Sequence, residues 1–286
     1  MLQKFYKYHG AGNDFLLADN RDGLLTLNAG QVRHLCDRHL GFGADGVMLL
    51  EKSDANDFRM LFYNPDGSSG MMCGNGGRCI VAYAADLGVV SGKFPVVFDA
   101  PDGVHTANLL PRSSGDSNGC RQVRLKMSDV SGVEYFKEEK ACFLDTGTRH
   151  LVKFVSGLDA YPVIEEGRRL RNDPRFAPEG TNLNFVEPLR SLSGAEGPVL
   201  RVRTFEKGVE DETLACGTGI VASALAAFSQ GIPGKVEDGR VSYDVQAAIA
   251  VLSVDFVPEG TGDGLQVSDV WLTGPATFVG SVECIL

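Results

Sequence analysis

Cys73-Gly74-Asn75-Gly76, running on to Gly88, and Cys216-Gly217-Thr218-Gly219, running on to Gly231, are two copies of one pattern. After the glycines the first copy carries Ile80, Val81, Tyr83, Ala84 and Leu87, and the second Ile220, Val221, Ala224, Leu225 and Phe228. These apolar positions recur at helical spacing. Each copy therefore predicts a helix headed by a cysteine and ended by a glycine, where a left-handed cap costs little. A helix apolar on most sides belongs inside, so each copy calls for a curved or barrel-like sheet wrapped around it.

A cysteine at a helix start meets unpaired backbone N–H groups and the positive end of the helix dipole, which favour thiolate over thiol. An ordinary thiol titrates near ~8.5, and helix N-termini bring it toward ~7 or lower, the range of a usable base. The glycines leave room for an anion against the same N–H groups. Two such ends facing each other would hold one small anionic ligand between two thiols. Taken singly, either cysteine reads equally well as a buried structural thiol before a glycine turn. Duplication of the whole unit tilts the reading toward chemistry.

The chain has 286 residues, 43% hydrophobic and 22% charged, enough for two cores, and a net charge of −10. That charge argues against nucleic acid or an anionic membrane as the main partner and for a small substrate. No apolar run approaches the ~20 residues that span a bilayer, and Met1-Leu2-Gln3-Lys4-Phe5 leads into a charged strand rather than a signal peptide, so a cytoplasmic protein is expected. The seven cysteines, Cys36, Cys73, Cys79, Cys120, Cys142, Cys216 and Cys284, are odd in number and irregularly spaced, which suggests reduced thiols rather than a disulfide framework. With five histidines they make no recognised zinc spacing, so no metal is expected.

Working outward, residues 3–9 and 13–19 read as a hairpin about His9-Gly10-Ala11-Gly12-Asn13, and 29–40 as a helix ended by Gly41. Gly41-Phe42-Gly43-Ala44-Asp45-Gly46 spells a dinucleotide fingerprint, but it lies between a helix and the strand 47–52, the reverse of the order that chemistry needs. A strand at 57–64 leads to the turn Asn64-Pro65-Asp66-Gly67-Ser68; turn formation explains Asn64, yet its amide stands close before Cys73. Strands at 94–100 and 104–110 precede Pro111 to Gly119, a stretch without apolar residues that marks the best boundary. Beyond it lie strands at 121–127, 141–144, 150–155, 181–186 and 200–205, a short helix at 162–170, and a strand-rich end. The strand at 200–205 delivers Glu206-Lys207-Gly208 ahead of Cys216, as 57–64 and its turn precede Cys73.

His9-Gly10-Ala11-Gly12-Asn13-Asp14-Phe15, Cys73-Gly74-Asn75-Gly76-Gly77-Arg78-Cys79 and Glu212-Thr213-Leu214-Ala215-Cys216-Gly217-Thr218-Gly219 resemble, in order, three motifs of the diaminopimelate epimerase family. The resemblance spans nearly the whole chain. It implies a cofactor-independent isomerase of lysine and cell-wall precursor synthesis that interconverts L,L- and meso-diaminopimelate, commonly as a homodimer. The implied fold is α/β, two pseudo-symmetric halves, each a mostly antiparallel curved sheet or barrel around a central helix, with the active site in the cleft. The last strand returns to the first half, giving residues 1–118 with 275–286 and residues 119–274.

By the same resemblance Cys73 and Cys216 are the catalytic pair, one thiolate and one thiol, with His150 and Glu206 tuning them. Asn13, Asn64, Thr148, Asn182 and Lys207 bind substrate, and the N–H groups of Gly74, Asn75, Gly217 and Thr218 stabilise the carbanion that no pyridoxal delocalises. Members often carry Asn-Pro-His where Thr148-Arg149-His150 stands and Glu-Arg-Gly where Glu206-Lys207-Gly208 stands, and some have Gln where Gly46 stands. Lysine keeps the charge for a distal carboxylate but loses arginine's two-pronged grip. Three other readings remain open at this point: a proline or hydroxyproline racemase with the same cysteines, a nicotinamide-dependent oxidoreductase using the Gly41 loop, and a non-catalytic amino-acid-binding module.

Overall fold

The structure is a computed structural model and describes residues 2–90, 95–111, 119–189, 199–260 and 264–286. Its residues gather into two compact units, Met1–Leu125 with Gly274–Leu286, and Lys126–Thr273. From the amino terminus come β1 (Leu2–Gly10), β2 (Asn13–Asp19), α1 (Ala29–Cys36), β3 (Val47–Glu51), β4 (Phe58–Tyr63), α2 (Gly74–Asp86), β5 (Val96–Ala100), β6 (Gly103–Leu109) and β7 (Cys120–Lys126). They are followed by β8 (Val130–Ser131), β9 (Glu134–Phe136), β10 (Ala141–Asp145), β11 (Arg149–Phe154), α3 (Val163–Arg171), β12 (Asn182–Leu189), β13 (Val199–Glu206), β14 (Asp211–Thr213) and α4 (Gly217–Ser229). β15 (Lys235–Glu237), β16 (Arg240–Gln246), β17 (Val251–Glu259) and the long β18 (Gln266–Ile285) complete the chain. The fold is mixed α/β and rich in strand.

In the first unit the strands form a closed circuit. β1 pairs antiparallel with β2 (Tyr8↔Phe15), β2 parallel with β3 (Leu16↔Val47), β3 antiparallel with β4, and β4 parallel with β5 (Phe58↔Phe98). β5, β6 and β7 continue antiparallel, β7 meets β18 (Val123↔Gly274), and β18 returns to β1 (Phe5↔Val282). Closure leaves this barrel no open edge. Inside it α2 is buried without interruption from Gly74 to Ala84.

The second unit repeats the succession: β10–β11 antiparallel, β11–β12 parallel, β12–β13 antiparallel, β13–β16 parallel, then β16–β17 and β17–β18 antiparallel. α1 and α3 occupy the same place in the two series, and so do α2 and α4. Strands such as β16 and β17 alternate, with Val241, Tyr243 and Val245 and then Leu252, Val254 and Phe256 turned inward. They cover α4, buried at ten of its residues from Gly217 to Ala227.

Both enclosed helices stop as the spacing predicts. Gly88 and Gly231 adopt φ of 71° and 72°. Gly88 N–H donates to Ala85 O and Val89 N–H to Ala84 O, while Gly231 N–H donates to Phe228 O and Ile232 N–H to Ala227 O. These are Schellman caps, which satisfy the last carbonyls of each helix.

α1 is shorter than the expected 29–40. The Asp37 carboxylate accepts from the N–H groups of His39 and Leu40, both at 2.7 Å, and this side-chain turn outcompetes another helical turn. Leu40 is left exposed instead of on the buried face. The strand expected at 121–127 is β7, which pairs with β6 and β18 and lies in the first unit through Leu125. Residue 94 of the expected strand 94–100 and residues 112–118 of the expected boundary lie outside the described residues.

Candidate active site

Cys73 is the N-cap residue of α2, with extended backbone (φ −106°, ψ 151°), and its Sγ accepts from the N–H of Gly76 at 3.2 Å. The first bond within the helix runs from Gly77 N–H to Cys73 O, so Gly74 and Asn75 present their amides ahead of it. Asn13, at the start of β2, places its Oδ1 3.9 Å from the sulfur. Its Nδ2 donates to Asp45 Oδ2 at 2.7 Å, and its Oδ1 accepts from Asn75 Nδ2 at 3.3 Å. Behind Asn75 lies Arg78, wholly buried, donating to Asn75 Oδ1 at 2.8 Å, Gly74 O at 3.1 Å and Pro275 O at 3.4 Å.

On the outer side Asp14 takes Lys7 Nζ and Arg38 Nη2, each at 2.8 Å, and Arg38 also reaches Asp45 at 2.7 Å. Burial works against ionisation of Asp14, but the hydrogen bonds from Arg38 and Lys7 outweigh it and hold the carboxyl below its ordinary range.

Cys216 is the N-cap residue of α4, but no side-chain cap bond forms there. Its sulfur lies 3.4 Å from the hydroxyl of Thr218, and Ile220 N–H makes the first bond of the helix, to Cys216 O. The turn between β10 and β11 supplies the surroundings. Gly147 takes φ of 94°, and Thr146 Oγ1 donates to Thr218 O at 3.1 Å. Thr148 Oγ1 donates to Thr218 Oγ1 at 3.1 Å.

His150 is wholly buried, with Nε2 at 2.9 Å from Thr148 Oγ1 and 3.0 Å from Thr218 Oγ1. Burial pushes its pKa down to about 3, so the ring is neutral. Asn184 Oδ1 accepts from Thr204 Oγ1 and Nδ2 lies 2.9 Å from His150 Nδ1. With Nδ1 accepting, the proton sits on Nε2, facing the two threonines. The ring thus reaches the sulfur through a hydroxyl and not as a direct proton acceptor.

The remaining expected residues cluster at the ends of β12 and β13 or in the turn after β4. Asn182 is buried; its Oδ1 accepts from the Lys207 N–H at 2.8 Å and its Nδ2 donates to Arg149 O at 3.3 Å. Lys207 is exposed, with Nζ 3.3 Å from Glu179 O, and half-buried Glu206 ends β13. Asn64 turns its amide into its own loop, donating to Ser68 Oγ at 3.0 Å. Thus Asn13 and Asn75 stand beside Cys73, and His150, Thr148 and Thr218 beside Cys216. Among the described residues no group of three or more His, Cys, Asp and Glu side chains is placed to hold a metal ion.

A sequence model of the diaminopimelate epimerase family matches residues 5–110 and 142–257. The diaminopimelate epimerase of Flavobacterium psychrophilum is 38% identical over 277 residues, covering 96% of this chain and 98% of that one. That of Chlorobaculum tepidum is 40% identical over 273 residues, covering 94% and 96%. The chain belongs to the diaminopimelate epimerase family. It is accordingly an isomerase of lysine biosynthesis. A Bacillus anthracis phenazine biosynthesis protein of the PhzF family superposes with a TM-score of 0.74 at 14% identity over the full length of both chains, a likeness of fold.

Sequence reasoning passed over four residues of these epimerase networks: Asp45, Arg78, Thr146 and Asn184. Asp45 sat inside the rejected fingerprint and Arg78 inside a quoted motif, so both were visible as letters only. Asn184 shares β12 with Asn182, two residues away and so on the same face by period two, and Thr146 shares the turn before β11 with Thr148.

Proposed function

We propose that Cys73 and Cys216 are the two acid–base groups of the epimerisation, one as thiolate and the other as thiol, exchanging roles with the hand of the substrate. Inverting an α-carbon requires a base on one face and an acid on the other, and two thiols meet that count. The observation that carries the reading is positional: each cysteine is the N-cap residue of its unit's enclosed helix, at the same point in the strand succession. The carbanion's charge spreads onto the substrate carboxylate, where the amides of Gly74, Asn75, Gly217 and Thr218 are suited to receive it. His150 orients the Thr218 hydroxyl toward Cys216, and Glu206 is the corresponding tuning group at the end of β13.

In the same reading Asn13 and Thr148 line the substrate pocket, while Asn64, Asn182 and Lys207 serve the substrate's second amino-acid end, Lys207 meeting the distal carboxylate. Work as a homodimer in the cytoplasm belongs to it too. Its support is the family likeness, the irregular set of thiols, and the exposed pair Leu2 and Ile285 where β1 meets β18.

Incubation of L,L-diaminopimelate with the protein in heavy water should yield the meso isomer with deuterium only at the α-carbon. Cys73→Ala and Cys216→Ala should each abolish interconversion. Turnover of proline with diaminopimelate untouched would overturn the assignment, and full activity in either variant would overturn the two-thiol reading.

A further inference from the structure

Arg78 is a charge without a matching charge. Its side chain is wholly removed from water at the first turns of α2, where side chains slope back toward the helix start. Its three hydrogen-bond acceptors, Gly74 O, Asn75 Oδ1 and Pro275 O, are all neutral, and among the described residues no carboxylate pairs with it. Gly10 on β1 closes the cage: a Cβ there would meet Asn75 O at 2.8 Å and Arg78 Nη2 at 3.3 Å. A cation buried this way is costly unless an anion offsets it.

We infer that Arg78 is a positioning residue for the reaction, its buried guanidinium being the fixed positive charge that holds Cys73 as the resting thiolate. The inference rests on the two-thiol reading above and names the thiol that is ionised between turnovers. The guanidinium is linked to the sulfur's surroundings through Asn75, whose amide reaches Asn13, whose Oδ1 lies 3.9 Å from Cys73 Sγ.

Two thiols lie near enough to feel Arg78. Burial lowers the guanidinium's affinity for its proton, while negative charge on Cys79 or Cys73 would raise it. Complete burial pushes Cys79 far up and keeps it a neutral thiol, so the half-buried Cys73 is left as the counter-ion. The other charged groups around this turn are carboxylates with partners of their own. Asp45 is held by Asn13 and Arg38, Asp14 by Lys7 and Arg38, and Asp102 accepts from Met72 N–H at 3.1 Å. Each of these opposes a thiolate, which makes a buried cation the more necessary.

The test is the pH dependence of Cys73 alkylation by iodoacetamide, read on the Cys73 peptide by mass spectrometry in the intact protein. Arg78→Gln keeps one hydrogen bond and removes the charge, and should move the midpoint up by one pH unit or more, a tenfold loss of thiolate near neutrality. Arg78→Met is the second neutral variant, should the first not fold. Arg78→Lys restores a charge and should return the midpoint to within a few tenths of wild type. A folded neutral variant with the wild-type midpoint overturns the inference, as does a wild-type Cys73 titrating no lower than an ordinary thiol. A merely structural strut would change stability without moving this midpoint. If Cys73→Ala is inactive while Arg78→Gln leaves the midpoint unmoved, the inference alone falls; if Cys73→Ala still interconverts the L,L and meso isomers, the two-thiol reading falls.

Discussion

His150 makes stability depend on acidity in a calculable way. The ring is fully buried and burial takes its pKa to about 3, whereas a histidine in the unfolded chain titrates near ~6.5. Between those values the unfolded state binds a proton that the folded state refuses. The unfolded state therefore binds more protons, and stability rises with pH and falls as the solution is acidified below about 6.5. Each pH unit inside that window costs about 1.4 kcal/mol, so acidification from neutrality to about pH 5 should remove about 2 kcal/mol through this one ring. The loss would continue toward pH 3.

The perturbation is His150→Gln, which keeps hydrogen-bonding capacity and cannot titrate. The variant should be less stable than wild type at neutral pH because its partners Thr148, Thr218 and Asn184 refit imperfectly. Urea unfolding of both proteins at several pH values between 7.5 and 5 gives the double difference, in which all other titrating groups cancel. The gap between the two proteins should close by about 2 kcal/mol over that range. Ring NMR of labelled wild type should show a histidine that stays neutral throughout. Parallel stability curves, or a His150 ring that takes up its proton near pH 6, would refute the argument and reopen the possibility of direct proton exchange with a thiol.

Gly219→Ala should cost about 2 kcal/mol in unfolding free energy despite alanine's better helix propensity, because the new Cβ would lie 2.3 Å from Asn184 Oδ1 and 3.3 Å from His150 Cε1. Gly76→Ala has as its nearest neighbours Cys73 Sγ at 3.3 Å, Met48 Sδ at 3.5 Å and Met48 Cε at 3.6 Å, so it should leave stability within about 1 kcal/mol while lowering kcat; equal unfolding midpoints for the two variants would contradict this. Thr218→Val removes the hydroxyl between Cys216 and His150 and should lower kcat by about ten- to a hundredfold with little change in KM, whereas Thr218→Ser should retain activity; an unimpaired valine variant would remove Thr218 from the chemistry. Lys207→Arg should tighten diaminopimelate about fivefold in KM by adding a second charge-assisted hydrogen bond, and an unchanged KM would take Lys207 off the distal carboxylate.

The enclosed helices were legible because two independent signals agreed. Apolar residues at helical spacing fixed their faces, and Gly88 and Gly231 fixed their ends through a backbone conformation that favours glycine. α1 misled because its apolar spacing runs past its hydrogen bonding: Leu40 lies in phase with Leu35 and Cys36, but the Asp37 side chain captures the next two N–H groups. Local competition of that kind leaves no trace in periodicity. Closure of the first barrel was not legible in the residues themselves, since it depends on β18 pairing with β1 and β7 from the far end of the chain; the return of the last strand to the first half came from the family resemblance alone. Around the cysteines, capping positions were readable from spacing. Their side-chain partners were not, because Asn13 comes beside Cys73, with Asp45 behind it, only once segments distant in sequence are brought to the mouth of α2, and Arg78, on α2 itself, takes its third acceptor from Pro275 on β18.

The two halves share a strand succession yet treat their thiols differently, and the reaction supplies a reason. On the proposed two-thiol mechanism a productive molecule holds one thiolate and one thiol. If both titrated alike and independently, only about half the molecules would be singly protonated at best, with the rest carrying two protons or none. Separating the two pKa values by about two units raises the singly protonated share to about four-fifths at the midpoint between them. Cys73 has an amide cap on its sulfur and, on the inference above, a buried cation behind it; Cys216 has no such cap and looks onto a threonine hydroxyl and a neutral imidazole. On that reading the unlike surroundings divide the protonation of the pair, so the asymmetry laid over the repeat serves turnover, and exchanging Asn75 and Thr218 between halves should narrow the separation and give a lower, narrower pH–rate maximum.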